Sequence, residues 1–379
     1  AIGNDQGNNI IATSGSGHTI YGMGGDDGIT SGDGDDALYG DDGNDVIYAG
    51  GGNDRLEGGA GADILLGMTG DDTYYVDRAG EVFESANEGN DTIVAGFDYT
   101  LDANVENLIL IGAATRGTGN WLDNVITGTQ HENLLEGGGG NDTLIGGGAL
   151  DVLRGGTGDD TYYVDRNGEV FENANEGIDT VFADMAGGMY LLDANVENLT
   201  LQGTTFYGVG NEGANVLTGS ASTNWLMGGD GDDRLDGKGG DDVLYGDGGA
   251  DTFVFGIGTG VDTVADFRVG IDKLDLSAFG FASFAALLEV VQDDGSGNSF
   301  IDLDGGDRVI LRGVTKAQLS SGDMVLTAAG GAATAALFAA EAEPVPGLIG
   351  GFDHLFDAGP ELVRIGVAPD DALLTHALF

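Results

Sequence analysis

The stretch GDDGNDVIYAGGGNDRLEGGAGADILL, residues 40–66, sets Asp45, Asp54 and Asp63 at intervals of nine among glycines. Two positions after each aspartate stands a large aliphatic residue: Ile47, Leu56 and Leu65. Counting Gly40 as position 1, the unit carries Asp at position 6 and an apolar residue at position 8. The register runs from Asn4 to Tyr75. Position 6 there reads Asn9, His18, Asp27, Asp36, Asp45, Asp54, Asp63 and Asp72, and position 8 runs from Ile11 and Ile20 to Leu65 and Tyr74. The register returns at Gly119, with Asn124, Asn133, Asp142, Asp151 and Asp160 at position 6, and at Gly210, with Asn215, Asn224, Asp233, Asp242 and Asp251. A solvated acidic linker has no reason to keep such a phase, so a stack of repeated structural units is expected.

Composition poses the problem this stack must solve. The 379 residues hold 64 Asp plus Glu against 13 Lys plus Arg, a formal net charge of −51. Self-repulsion of that size opposes a compact state unless something positive is bound. The 73 glycines add a backbone entropy cost. Yet 41% of residues are apolar and recur at fixed places, enough for a core once the charge is neutralised. The missing ingredient is a cation. Nucleic acid is excluded as a partner because phosphate contacts need Lys and Arg, and anionic membrane surfaces are disfavoured for the same reason. There is no cysteine, hence neither a disulfide framework nor a thiolate metal site. No apolar run reaches the ~18 residues of a membrane span, and the N-terminus lacks the features of a signal peptide. Because Ala1 already lies at the edge of a repeat, a fragment or processed chain is expected.

The unit GGxGxDxUx, with U a large apolar residue, resembles the calcium-binding nonapeptide of the RTX (repeats-in-toxin) proteins. That resemblance implies an all-β fold, a right-handed parallel β-roll or β-helix solenoid with Ca²⁺ between stacked GGxGxD turns. The physical reading is compatible. Six Gly-rich residues make a turn, three make a short strand, and two units make one coil of 18 residues, with coils ~4.8 Å apart. Turn carbonyls and a carboxylate are hard oxygen ligands, and Ca²⁺ takes 6 to 8 of them. One turn supplies about half a shell, so each ion is expected between two stacked turns. The aspartate pairs at that separation are Asp27 with Asp45, Asp36 with Asp54, Asp45 with Asp63, Asp54 with Asp72, Asp142 with Asp160, and Asp233 with Asp251. With Asp151 and Asp242 these residues form the expected metal set, for at least about six ions. Each block opens with units that lack the aspartate. Asn there either binds more weakly through its carbonyl or marks a metal-free starter coil, and His18 is expected to be a solvated loop residue.

Between the blocks, TYYVDRAGEVFESANEGNDTI (73–93) recurs as TYYVDRNGEVFENANEGIDTV (161–181), and LDANVENLIL (101–110) as LDANVENLTL (192–201). The offset grows by three residues around MAGGM. These inserts are expected to continue the solenoid as irregular coils, with Glu88, Asp91, Glu176 and Asp179 as surface charge in preference to ion ligands. The expected organisation is β-roll blocks at 1–75, 119–163 and 210–255, inserts at 76–118 and 164–209, a capping region at 256–328 and a tail at 329–379. The cap resembles the end of the serralysin-type β-roll domain and includes a predicted helix at 283–292. The resemblance to RTX proteins implies a type I secretion signal in the tail.

Three catalytic motifs are absent, and paired aspartates for glycoside cleavage, which no motif excludes, already have a metal role here. His131 and Glu132 are not followed by the second His of HExxH, there is no GxSxG, and Lys238 precedes Gly239 where a phosphate loop needs Ser or Thr. Position 9 along one sheet reads Tyr21, Tyr39, Glu57 and Tyr75, a ladder that either stacks on sugars or another subunit or, by default, packs across strands. The expected protein is therefore not an enzyme. It is secreted by the type I machinery, folds on extracellular Ca²⁺, and serves as a structural or adhesive component of the cell surface or matrix, with self-association or surface polysaccharide as candidate partners. The alternative is a non-catalytic secretion and folding module of a secreted protease, lipase or polysaccharide epimerase.

Overall fold

The computed structural model describes residues 1–13 and 15–326, within the compact unit Ala1–Thr327. The expected secretion signal at 329–379 lies outside the described residues. Strands separated by one coil pair in parallel. On one side of the coil Ile20 pairs with Leu38, Leu38 with Leu56 and Leu56 with Tyr74. On the other Ile29 pairs with Ile47, and Ile47 with Leu65. The short strands alternate half-exposed, buried, half-exposed, as in Val216–Thr218, Arg234–Asp236 and Thr252–Val254. Position 8 is buried because side chains alternate along a strand, and where a strand runs on, as in Ala37–Asp42, Gly40 at position 1 is buried as well. From Ile20 onward, every position-8 residue of the three blocks is fully buried. Each contributes roughly 1.5–3 kcal/mol, and together they form one aliphatic seam between two sheets.

The two sides of the solenoid differ. One is a single 17-stranded sheet reaching from Ile2–Asn4 to Met324–Val325, whereas the other is split at the inserts into sheets of four, four and eight strands. The inserts therefore keep the long sheet and interrupt its partner. Tyr74 pairs with Ile93, Ile93 with Leu108, and Leu108 with Ile126. In the second copy Tyr162 pairs with Val181 and Val181 with Leu199. The three extra residues thus lengthen one coil without breaking its pairing.

Two expectations are corrected. The first unit is slipped by one residue: Ile10 pairs with Ile29, and Ile11, expected inward, is 64% exposed. Because side chains alternate with period two, a slip of one exchanges the faces. The predicted helix at 283–292 is shorter, Phe284–Leu288, with the Ser283 side chain accepting from the Ala286 N–H. Its second half is instead the strand Val291–Asp293, antiparallel to Ser299–Asp302, which in turn pairs antiparallel with Arg308–Leu311. The intervening turn is set by Asp294, whose carboxylate accepts from the Ser296 and Asn298 backbone N–H groups at 2.6 and 3.2 Å. This change of strand direction ends the eight-stranded sheet and covers an edge that further coils would otherwise extend.

Candidate metal centres

The position-6 aspartates stand in two columns, one at each edge of the roll, and every rung has the same form. One carboxylate oxygen accepts the backbone N–H of the position-6 residue one coil earlier. Asp27 N–H donates to Asp45 Oδ1 at 2.7 Å, Asp45 N–H to Asp63 at 2.8 Å, Asp36 N–H to Asp54 at 2.8 Å, and Asp54 N–H to Asp72 at 2.7 Å. The second block repeats this at Asp142 with Asp160, 2.7 Å, and the third at Asp233 with Asp251, 3.0 Å. All six expected pairs are stacked neighbours.

The other oxygen decides the chemistry. In ten of the twelve expected ligands, Oδ2 is buried with no hydrogen-bond partner: Asp27, Asp45, Asp54, Asp63, Asp72, Asp142, Asp151, Asp160, Asp233 and Asp242. It folds back over position 1 of its own unit, where a Cβ on Gly40, Gly137 or Gly228 would collide with it. A buried, unpartnered carboxylate oxygen is costly unless a cation meets it. Burial pushes Asp142 up to about 8, and Asp72, Asp160, Asp233 and Asp242 up to about 7, with neighbouring carboxylates adding to the rise. Asp45, Asp54 and Asp151 are raised to about 6 for the same first reason, only partly offset by their backbone hydrogen bonds. Buried carboxylates aligned with glycine turns fit a hard divalent cation with oxygen ligands, which is the donor set of Ca²⁺.

The two exceptions already have partners. Asp36 Oδ2 accepts from the Ser31 hydroxyl, since Ser31 replaces the glycine at position 1 of that unit. Asp251 Oδ2 lies 2.8 Å from the Arg268 guanidinium, which also reaches Asp272 at 2.9 Å and the Gly249 carbonyl. The chain itself supplies a cation at that end of the column.

The opening turns favour the metal-free alternative. Asn124 Oδ1 accepts the Asn120 N–H at 2.7 Å, and its amide NH₂ donates to the Glu106 carbonyl at 3.1 Å. Asn133, Asn215 and Asn224 are held in the same way, by the Thr129, Asn211 and Ser220 N–H groups and by carbonyls of the preceding coil. The amide provides the positive end that aspartate lacks. His18 is corrected: it is partly buried, with Nδ1 3.0 Å from Asp36 Oδ1. In the slipped first unit Asn8, in place of Asn9, donates its N–H to Asp27, at 2.6 Å.

Sequence reasoning missed the outer and insert members. Asn44 and Asn53, at position 5, form a second ladder that ties turns together at 2.9–3.0 Å. Asp91 and Asp179, expected as surface charge, are buried and extend one column into each insert, accepting the Asp72 and Asp160 N–H groups at 2.9 and 2.8 Å. Glu88 and Glu176 stay nearer the surface, each accepting an N–H three residues earlier. The tyrosine ladder packs on itself: Tyr21 stacks on Tyr39 at 4.8 Å, and the Arg55 guanidinium lies 3.6 Å from the Tyr75 ring.

Asp54 has a stacked aspartate on both sides, Asp36 and Asp72, whereas Asp27 has only Asp45, its other neighbour being Asn8. Asp54→Ala is therefore expected to disable two adjacent calcium positions, and Asp27→Ala one. Equilibrium dialysis against ⁴⁵Ca²⁺ reads the difference; equal losses would contradict sharing between turns.

Residues 39–74, 118–149, 127–162, 209–244 and 227–261 match the family model described as RTX calcium-binding nonapeptide repeat (4 copies). The chain is also similar to two proteins of Rhizobium meliloti (strain 1021). It is 41% identical to the endo-1,3-1,4-beta-glycanase ExsH over 165 residues, 43% of this chain and 32% of that protein. It is 42% identical to the endo-1,3-1,4-beta-glycanase EglC over 140 residues, 37% of this chain and 27% of that protein. The chain thus covers a third or less of the length of these relatives. Among solved structures, the extracellular lipase LipA from Serratia marcescens matches at 20% identity and a TM-score of 0.23, over 64% of this chain and 45% of the lipase. With the repeat matched in all three blocks and the parallel coils it builds, the chain carries RTX calcium-binding nonapeptide repeats at 39–74, 118–162 and 209–261, folded as a β-roll.

Proposed function

We propose that this β-roll folds on meeting extracellular Ca²⁺ and serves as the non-catalytic folding and export module of a secreted, glycan-directed protein. The observation that carries the calcium half is the row of buried carboxylates that each keep one oxygen without a partner. The ions sit between the stacked turns of the six aspartate pairs, the inserts space the three blocks, and the region from 256 closes the open end. Inside the cell Ca²⁺ is too dilute to neutralise a net charge of −51, so the chain stays extended and can thread a type I exporter. Outside, at the ~10⁻⁴ to 10⁻³ M range of extracellular calcium modules, ion binding pulls folding with it.

The glycan-directed half is supported by the two partial relatives, both glycanases by name, and by the absence of a catalytic motif in the repeats. It takes precedence over the structural or adhesive role expected from sequence. That role retains one supporting observation, the unbroken 17-stranded sheet, which suits a rigid spacer. Incubating the chain with mixed-linkage β-1,3-1,4-glucan and Ca²⁺ is expected to release no reducing sugar. Sugar release above a heat-treated control would overturn the non-catalytic assignment.

A further inference from the structure

At the end of the first block three carboxylates converge that the nine-residue period does not bring together. Asp72 belongs to the last regular turn, Glu84 to the insert, and Asp91 to the insert's return to the long sheet. One oxygen of each lies within 4.8 Å of the others. Oxygens bound to one Ca²⁺ at ~2.3 to 2.6 Å are no more than ~5 Å apart, so the three can share an ion. Asp72 and Asp91 are at most 1% exposed, and Asp72 Oδ2, Asp91 Oδ2 and Glu84 Oε2 are all buried without a hydrogen-bond partner. No ion pair among the described residues involves any of them.

The glutamate is aimed by a hydroxyl that the aliphatic residues of the regular core lack. Tyr74 occupies position 8, where most units carry Leu or Ile. Its hydroxyl accepts the Gly67 N–H at 2.8 Å and donates to Glu84 Oε1. One glutamate oxygen is thereby tied down and the other turned to the aspartates. The second block repeats the device: Gly155 N–H donates to the Tyr162 hydroxyl at 2.7 Å, which donates to Glu172 Oε1. Asp160 Oδ2, Glu172 Oε2 and Asp179 Oδ2 are again buried without partners.

The third block supplies the contrast. Its last position 8 is Phe253, with no hydroxyl, and no glutamate follows at the same interval. There the stacked pair is Asp251 and Asp272, joined by the Asp251 N–H at 3.1 Å, and a guanidinium bridges the two carboxylates at 2.8 and 2.9 Å. A place that takes a positive charge in one block takes a third carboxylate in the other two. A third buried negative charge is sustainable there only with a cation of higher charge between the three.

We propose that each insert carries a calcium site of its own, held by Asp72, Glu84 and Asp91 in the first and by Asp160, Glu172 and Asp179 in the second, with Tyr74 and Tyr162 positioning the glutamates. This rests on the calcium reading of the regular turns only for the identity of the ion. The sites carry the ion column across the seam between a regular block and its insert, where the glycine turn stops.

The test is the number of Ca²⁺ ions retained per chain in equilibrium dialysis, with far-UV circular dichroism as the check on folding. In the double variant Glu84→Gln, Glu172→Gln, glutamine keeps an oxygen for each tyrosine and offers an NH₂ to the aspartates. Bound calcium is expected to fall by one ion per insert with the β-spectrum retained. An unchanged stoichiometry would overturn the proposal and leave Glu84 and Glu172 as protonated, metal-free groups. Tyr74→Phe with Tyr162→Phe keeps the rings, as Phe253 does, and gives a second measurement if the glutamine variant fails to fold. It is expected to leave the stoichiometry unchanged and weaken the same ions about 10-fold, the low end for a partner that orients a ligand. Unaltered affinity of every ion in that variant would count against the site. A wild-type chain that retains no calcium at all would sink the function proposed above, an outcome distinct from the loss of these two sites alone.

Discussion

Gly249→Ala is expected to prevent the third block from closing at any calcium concentration that folds the wild type. Gly249 has φ +116, and a Cβ there would lie 1.7 Å from the Gly231 carbonyl oxygen of the turn below. The backbone conformation alone costs a residue with a side chain about 1–3 kcal/mol. The collision adds more, because its partner is backbone and cannot rotate away. Relief requires the two turns to separate, yet the Asp233 to Asp251 rung between them is only 3.0 Å long. Strain and loss of an ion position therefore act together. Gly256→Ala is the control: its Cβ would meet nothing within 4 Å, and an unhindered surface change stays within about 0.5 kcal/mol. Calcium titrations followed by circular dichroism should show a smaller amplitude and a higher midpoint for Gly249→Ala and a wild-type curve for Gly256→Ala.

Calcium withdrawal is expected to have the larger effect, and to depend on pH in a definite direction. In the unfolded chain an aspartate titrates near ~3.9. In the metal-free fold burial lifts Asp142 to about 8, Asp72, Asp160, Asp233 and Asp242 to about 7, and Asp45 and Asp54 to about 6. A raised carboxylate pKa means that the fold holds protons the unfolded chain has released. The penalty is absent below ~4, grows as pH rises through the window from ~4 to 8, and is complete above it. Without calcium, then, acid favours the fold and neutral pH opposes it. With calcium the carboxylates must be ionised, so affinity rises with pH and binding near pH 7 releases protons. Protons and Ca²⁺ are alternative means of discharging the same columns.

How much of this was legible in sequence follows from what the period encodes. Asp45 and Leu56 were placed correctly because spacing alone fixes coil, edge and face once two units make a turn. The first unit was misjudged because Ile10 and Ile11 are adjacent and equally apolar, so composition could not say which faced inward. The extra residue lies between Asn8 and His18, in a stretch with no aspartate to mark phase. The end of the helix was missed because Val290 and Val291 looked like a continuing apolar face, while the turn at Asp294 had already committed them to a hairpin.

Glu84 was missed for a different reason. It stands ten residues after Tyr74, out of phase with every unit, and meets Asp72 only because the insert coil pairs Tyr74 with Ile93. One signal was available. Both inserts keep the tyrosine and the glutamate at the same interval while Ala79 becomes Asn167, Ser85 becomes Asn173 and Asn90 becomes Ile178. Buried charge in the inserts therefore shows as what the two copies retain, and the rule of nine does not reach it.

The central claim is that calcium, held between the stacked turns, makes a compact state possible for a chain of net charge −51. Far-UV circular dichroism and sedimentation velocity of the purified chain at pH 7.5, with a calcium chelator and then with Ca²⁺ restored to the millimolar range, measure it directly. The expected result is an expanded chain without β-spectrum in chelator and a compact β-rich one after calcium. A compact, β-rich protein that persists in chelator at pH 7.5 would contradict it.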